Sequence, residues 1–388
     1  MPAGSKNTRR RFGASSAAAK DLYRSIDRAE IGLYGPAHET REVDVDICRT
    51  RPVQMSKPTV VLVGGIYHAD ADKILRAHAR VVALERPSPA EIASALSGAD
   101  AAIVRYPHLI NDAVLGGASR LVVVASSGRG TDSIDVAACT AHGVAVVNNP
   151  GFGTVPVSEH AIAMMLALSR NLIGSGKALR SGGAWDKRTQ FDVRDINGRT
   201  IGIVGLGLIG SEMARKCIAA FGMNVLTFDP HVSRDKAAAL GATMVDSLDD
   251  LLDRSDFVSM HAELNEGSRR MIGEPQLRRM RRHAFFINTS RGKVVDQDAL
   301  YKALTSGWIA GAALDVFEDE PLAEPSPLWN LDNLILTPHV AGLSGDALHD
   351  LADSAVSQVL QALAGERPRF LVNPAAWATA KARLARAA

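Results

Sequence analysis

Thr200-Ile201-Gly202-Ile203-Val204-Gly205-Leu206-Gly207-Leu208-Ile209-Gly210 decides the fold. Its apolar start reads as a buried parallel strand. The run breaks at Gly205 and enters a helix carrying Met213, Cys217 and Ile218 at helical spacing. Each glycine has a mechanical job. Gly205 permits a sharp turn, Gly207 lets backbone approach a pyrophosphate, and Gly210 lets helix pack closely on strand. The helix N-terminus then offers free N–H groups and a positive dipole end to phosphate. A second strand, Asn224-Val225-Leu226-Thr227-Phe228, ends in Asp229, nineteen residues beyond Gly210. An acid there is placed to accept hydrogen bonds from an adenosine ribose. Strand, glycines, helix and acid in this order point to a bound dinucleotide.

Working outward, the chain alternates strand and helix. Strands are expected at 59–63, 80–83, 101–104, 121–124 and 144–147, with helices at 72–79, 88–96, 111–115 and 135–142. Such alternation implies an open parallel sheet covered by helices on both faces. Ser158 to Asn171 reads as a buried helix leaving this domain, and Gly174 to Gly183 as a looser stretch. Beyond Gly198, strands recur at 256–261, 284–288, 311–316 and 334–337, and a helix returns at 345–363. The fold class is therefore α/β, with two Rossmann-like or flavodoxin-like domains of doubly wound parallel sheet. The cofactor domain, 155–340, is inserted into a substrate domain made of 55–154 and 341–388. Residues 1–54 are read as an extension. They hold the basic run Arg9-Arg10-Arg11 and lack the apolar core of an export signal. The cleft between two such domains is the natural site and hinge.

Bulk properties exclude several classes. The 44 basic and 42 acidic residues leave a net charge of +2, so nothing favours nucleic acid as a partner. Cys48, Cys139 and Cys217 are scattered, with no CxxC and no Cys/His cluster. That argues for a reducing, cytoplasmic setting and against a disulfide scaffold or a zinc site, so no metal is expected. No apolar run reaches membrane-spanning length, which excludes a membrane partner.

Three polar side chains fall at or just past strand ends in the second domain: Arg291, Glu320 and His339. Oxidising a 2-hydroxy acid needs a hydride acceptor, a base for the hydroxyl proton and a cation for the carboxylate. Nicotinamide serves as the acceptor. His339 is the candidate base, because imidazole titrates near neutrality. Arg291 can hold a carboxylate through its fork of donors. Glu320 beside His339 would favour the imidazolium. Each has an alternative reading: a helix-turn arginine, a core histidine, one exposed acid among several. In the first domain, Arg105-Tyr106-Pro107-His108 and Ser126-Ser127-Gly128-Arg129-Gly130-Thr131-Asp132 lie at strand ends. The glycines of the second stretch leave N–H groups free to face an anion; either stretch can equally be a plain surface loop.

The order of Gly205-Leu-Gly-Leu-Ile-Gly210, Asp229, Asn288-Thr-Ser-Arg-Gly292, Gly311-Ala-Ala-Leu-Asp-Val-Phe317 with Glu320-Pro321, and Thr337-Pro-His-Val-Ala-Gly342 resembles the D-isomer-specific 2-hydroxyacid dehydrogenases. Phosphoglycerate dehydrogenases and glyoxylate/hydroxypyruvate reductases belong to that family. The resemblance implies a catalytic trio of Arg291, Glu320 and His339. It places Gly205, Gly207, Leu208, Ile209, Gly210, Asp229, Thr289 and Asp315 at the cofactor, with Asp315 on the nicotinamide carboxamide. It also places Ser127, Gly128, Arg129 and Gly130 in the loop receiving the substrate carboxylate, and Arg105 in a segment that contacts substrate. It implies NAD rather than NADP, since Asp229 would repel a 2′-phosphate, a small 2-oxo or 2-hydroxy acid as substrate, and a homodimer. Two departures stand out: the substrate loop has Ser133 where the family often has Asn, with Arg129 between its glycines, and Arg105-Tyr106-Pro107-His108 matches the family's substrate-contacting segment only loosely, its spacing one residue short. The other reading is an NAD-sensing, corepressor-like binding protein. Formate dehydrogenases pair the histidine with glutamine, and Glu320 argues against them.

Overall fold

A computed structural model describes residues 57–182 and 185–387. The readings made for residues 1–54, including the basic run, lie outside the described residues. In chain order the elements are β1 (Thr59–Val63), α1 (Ala69–His78), β2 (Arg80–Leu84), α2 (Pro89–Leu96), β3 (Ala101–Val104), α3 (Asp112–Leu115), β4 (Val123–Ser126), α4 (Val136–Ala141) and β5 (Ala145–Val147). Then come α5 (Thr154–Ser169), α6 (Leu172–Arg180), β6 (Thr200–Val204), α7 (Leu208–Phe221), β7 (Asn224–Phe228), α8 (Arg234–Ala239), β8 (Thr243–Met244), α9 (Leu248–Arg254) and β9 (Phe257–Met260). The last are α10 (Glu274–Arg279), β10 (Phe285–Asn288), α11 (Gln297–Thr305), β11 (Gly311–Leu314), β12 (Leu334–Leu336), α12 (Gly345–Leu363) and α13 (Trp377–Ala387).

Two all-parallel sheets result. One has the order β2-β1-β3-β4-β5, the other β12-β11-β10-β9-β6-β7-β8. Alternate side chains on a strand face opposite ways, and the cores follow that rule. On β1, Val60 and Leu62 pack in one cluster with Leu75 of α1 and Val356 of α12. Val61 and Val63 pack in the other, with Ile92 and Leu96 of α2. On β6, Val204 joins Val258 and Phe286, whereas Ile201 and Ile203 join Met165 of α5 and Met213 of α7.

Local chemistry fixes the element ends. Ser88 and Glu91 form a reciprocal capping box at the start of α2, with Pro89 in its first turn. Gly205 has φ +94°, and a Cβ there would lie 2.7 Å from the Ala262 amide nitrogen. The turn after β6 therefore runs hard against the end of β9, at the point where strand order reverses. Ligands of open parallel sheets bind at such a point.

The C-terminal segment returns to the first sheet. The Val372 N–H donates to the Val146 carbonyl at 2.8 Å, and the Val146 N–H to Asn373 Oδ1 at 2.7 Å. The buried Gln358 amide bonds Asn148 and Asn149 on one side and the Phe370 N–H on the other. Two details differ from the sequence reading. The stretch read as loose from Gly174 to Gly183 is helical as far as Arg180, within α6, which has no buried residue. Strand β4 begins at Val123 rather than 121, because Leu121 and Val122 are apolar and buried but precede the ladder.

A Cβ at Gly210 would lie 2.0 Å from the Gly205 carbonyl oxygen. Gly210→Ala is expected to lower unfolding free energy by about 1–3 kcal/mol, read as a lower urea midpoint. An unchanged midpoint would show that the strand–helix contact tolerates a methyl group.

Candidate active site

The glycine turn and the start of α7 form an open cradle. A Cβ at Gly207 would meet nothing within 4 Å, and no side chain caps the first turn of α7. Asp229 closes one side. Its Oδ2 accepts from the Leu206 N–H at 2.7 Å and its Oδ1 from the His231 N–H at 2.9 Å. Two buried polar atoms of the same sheet have no hydrogen-bond partner: Thr289 Oγ1, just past β10, and His261 Nδ1, just past β9. Burial lowers the His261 pKa to about 4, so its ring is neutral at physiological pH. An unsatisfied buried polar atom is costly, and an uncapped helix start favours anions. A dinucleotide is a group these residues fit. Leu208 and Ile209 form the first turn of α7, and Leu208 is exposed.

The three chemistry-bearing side chains come from neighbouring strand ends. Arg291 follows β10, Glu320 follows β11 and His339 follows β12. His339 Nδ1 lies 2.7 Å from Glu320 Oε2, while Glu320 Oε1 accepts from the Phe317 N–H at 2.9 Å. Burial alone would raise the Glu320 pKa. The His339 ring and the Phe317 N–H outweigh that and hold it below the ordinary glutamate value. An ionised Glu320 accepts from Nδ1–H, which leaves Nε2 as the basic nitrogen of His339.

His339 sits in left-handed backbone, φ +53°. Asp315 is fully buried and secures that turn. Its Oδ1 accepts from the Thr337 hydroxyl at 2.5 Å and the Val340 N–H at 2.9 Å, and its Oδ2 from the Ala341 N–H at 2.8 Å. His160 of α5 donates toward the same turn, with Nε2 3.1 Å from Thr337 Oγ1.

Across the cleft stands the loop after β4. Its carbonyls are tied back: Ser126 Oγ donates to the Gly130 oxygen at 2.7 Å, and Asn148 Nδ2 to the Arg129 oxygen at 2.7 Å. The N–H groups of Arg129 and Gly130 have no partner among the described residues. Ser127 is buried, its N–H bonded to Val104, and a Cβ at Gly128 would meet nothing within 4 Å.

Two residues that sequence reading gave no role join the site. Asp132 Oδ2 accepts from Arg291 Nε at 3.1 Å and from Nη2 at 2.9 Å, while Arg291 Nη1 donates to the Ser290 oxygen at 2.7 Å. Of the five guanidinium N–H donors, three are spent and one remains on each terminal nitrogen. Burial opposes the Asp132 carboxylate, but the Arg291 charge outweighs it and lowers its pKa. Tyr106 lies beside Glu320, and its ring is 5.7 Å from that of His339. Burial, then the Glu320 charge, pushes the phenol up to about 12, so it remains a donor. The only hint in sequence was position at strand ends.

Arg105 and Arg129 each have partners of their own. Arg105 lies over the Tyr67 ring, 4.5 Å from its centroid. Arg129 pairs with Glu263, beyond β9.

The family model "D-isomer specific 2-hydroxyacid dehydrogenase, NAD binding domain" matches residues 162–341. A glyoxylate reductase of Korarchaeum cryptofilum is 41% identical over 290 residues, 74% of this chain and 86% of the relative. A D-3-phosphoglycerate dehydrogenase of Methanocaldococcus jannaschii is 35% identical over 81% of this chain, which spans 59% of that relative's length. Among solved structures, an NADPH-dependent glyoxylate/hydroxypyruvate reductase from Sinorhizobium meliloti, in complex with NADP and malonate, superposes with a TM-score of 0.72. It is 27% identical, over 82% of this chain and 98% of that one. Fold and site together define a nicotinamide-dependent oxidoreductase. The chain belongs to the D-isomer specific 2-hydroxyacid dehydrogenase family.

His339→Gln keeps a side chain able to bond Glu320 but removes the titrating nitrogen. Turnover is expected to fall on the order of a hundredfold or more, with cofactor affinity retained by fluorescence titration; undiminished turnover would exclude His339 as the acid/base. Asp132→Asn loosens the Arg291 fork, and kcat/KM is expected to drop by roughly tenfold or more without change in cofactor affinity. Wild-type kinetics in this variant would show that Arg291 is held without Asp132.

Proposed function

We propose that the protein interconverts a small D-2-hydroxy acid and its 2-oxo acid with NAD, in the manner of glyoxylate/hydroxypyruvate reductases or phosphoglycerate dehydrogenases. The observation that carries this reading is the Glu320–His339 pair beside an Arg291 with two open donors, facing the unpaired Arg129 and Gly130 N–H groups. Residues 55–154 and 341–388 form the substrate domain in this reading, and 155–340 the cofactor domain.

The cradle of Gly205, Gly207, Leu208, Ile209 and Gly210 holds the pyrophosphate, Asp229 the ribose, and Thr289 takes a further contact. Asp315 has one acceptor position left on Oδ2 for the carboxamide. Bound nicotinamide supplies or accepts the hydride at C2. In reduction, His339 Nε2 gives a proton to the C2 oxygen, and Glu320, accepting from Nδ1–H, stabilises the imidazolium before the transfer. In oxidation Nε2 takes the hydroxyl proton. Arg291 bonds the carboxylate and polarises the C2 oxygen with its two open donors. The open loop amides of Arg129 and Gly130 receive the other face of the carboxylate.

NAD is preferred over NADP because the Asp229 carboxylate at the ribose would repel a 2′-phosphate. A homodimer is supported by the apolar surface of α6 and the chain after it. Leu172, Ile173 and Leu179 are each 57% exposed and Trp185 69%, apolar side chains that a second copy would cover. The buried free thiols of Cys139 and Cys217 suit a reducing cytoplasm. No helix among the described residues is long and apolar enough to cross a membrane.

The test is steady-state NADH oxidation with glyoxylate, hydroxypyruvate, 3-phosphohydroxypyruvate, phenylpyruvate and 2-oxoglutarate, repeated with NADPH. At least one 2-oxo acid is expected to turn over, with NADH favoured. Negligible rates with every acid, while NADH still binds, would overturn the reading.

A further inference from the structure

We propose that His68, Asp70 and His349 form a binding site for a divalent cation of zinc, cobalt or nickel type. His68 and Asp70 stand at the start of α1 and His349 lies in α12; each offers one donor atom, all within 4.8 Å of one another. The sequence-based case against a metal rested on cysteine spacing, and this cluster contains no cysteine.

The placement is set by the fold. His68 precedes α1 and serves as its cap, with its Nδ1 accepting from the Asp70 N–H at 3.3 Å. His349 lies in the second turn of α12. The two helices pack through Ala71 and Leu75 on one side and residues of α12 such as Ala352 on the other. The imidazoles therefore meet edge to face, with ring centroids 4.4 Å apart.

Two imidazoles and a carboxylate suit borderline divalent ions and leave a fourth position for water. Bonds of about 2.1 Å in tetrahedral geometry put donors roughly 3.4 Å apart. The side chains must therefore draw in by about an ångström, which rotamer changes allow because all three are partly exposed.

The surroundings support ligation by His349. Its Nδ1 lies 3.5 Å from Asp353 Oδ2 and 3.6 Å from Asp350 Oδ1. Asp353 Oδ1 is buried without a partner. A ligating histidine usually donates its other N–H to a carboxylate, and Asp353 is placed to accept it. Lys73 is the competing cation, 2.7 Å from Asp70 Oδ1, so an incoming ion must displace an exposed ammonium. The site is independent of the catalytic reading, since none of its residues belongs to the candidate active site.

The experiment uses the full chain, stripped with chelator. Cobalt(II) is titrated by absorbance and zinc by calorimetry, with thermal unfolding followed in parallel. One saturable equivalent is expected, with a higher unfolding midpoint when zinc is bound. His349→Ala and Asp70→Asn are each expected to weaken binding on the order of tenfold or more, and His349→Ala to abolish the thermal shift. Absence of saturable binding would overturn the proposal. So would wild-type affinity in both variants, which would put the metal elsewhere on the chain.

Discussion

A single buried carboxylate fixes the geometry on which the site depends. Asp315 is 0% exposed and bonds three donors of the turn that carries His339, while its own carbonyl accepts the His339 N–H at 2.8 Å. A histidine at φ +53° is in a region L-residues visit seldom, and it persists only when its surroundings over-determine it. Here they do. Asp315 sets the main chain, and Glu320 then sets the ring by holding Nδ1. Neither carboxylate need touch a reacting atom for the position of Nε2 to depend on both. This is second-layer support of the kind that keeps reacting groups within a fraction of an ångström.

The same economy of charge runs across the cleft. Asp132 meets Arg291, Arg129 meets Glu263, and Tyr106 meets Glu320. Each pair takes one member from the first sheet's loops and one from the second's. Of these pairs, Asp132–Arg291 compensates partly buried charges. Asp132 occupies one edge of the Arg291 fork and Ser290 one further N–H. A planar carboxylate can still use the open donors at the end of the guanidinium. The Gly130 position shows how tight this is, since a Cβ there would lie 2.3 Å from Arg291 Nη2.

The fold was legible because its determinants are local and periodic. The strand–turn–helix after Thr200 needs glycine at Gly205 for the turn and at Gly210 for close packing, and β1 alternates its apolar residues between two cores. Helix α6 was not legible, because Gly174 and Gly176 within nine residues lower helix propensity and no apolar face is buried. Arg291, Glu320 and His339 looked like ordinary loop charges one by one; only the order of the motifs joined them. Asp132 and Tyr106 left no such trace. Their partners lie on the loops of the other sheet, so the pairing is a property of tertiary approach and has no sequence period.

That tertiary approach also narrows what decides the substrate. From sequence, Arg129 stood out as a cation between the loop glycines. Folded, it is matched by Glu263, so an anion would have to compete with a carboxylate already in place. Arg105 differs: among the described residues it has no carboxylate partner and rests on the Tyr67 ring. A guanidinium stacked on an aromatic ring keeps its in-plane donors available. If the proposed substrate carries a second anionic group, Arg105 is the cation with donors to spare, and it stands one residue from Tyr106 at the edge of the candidate site.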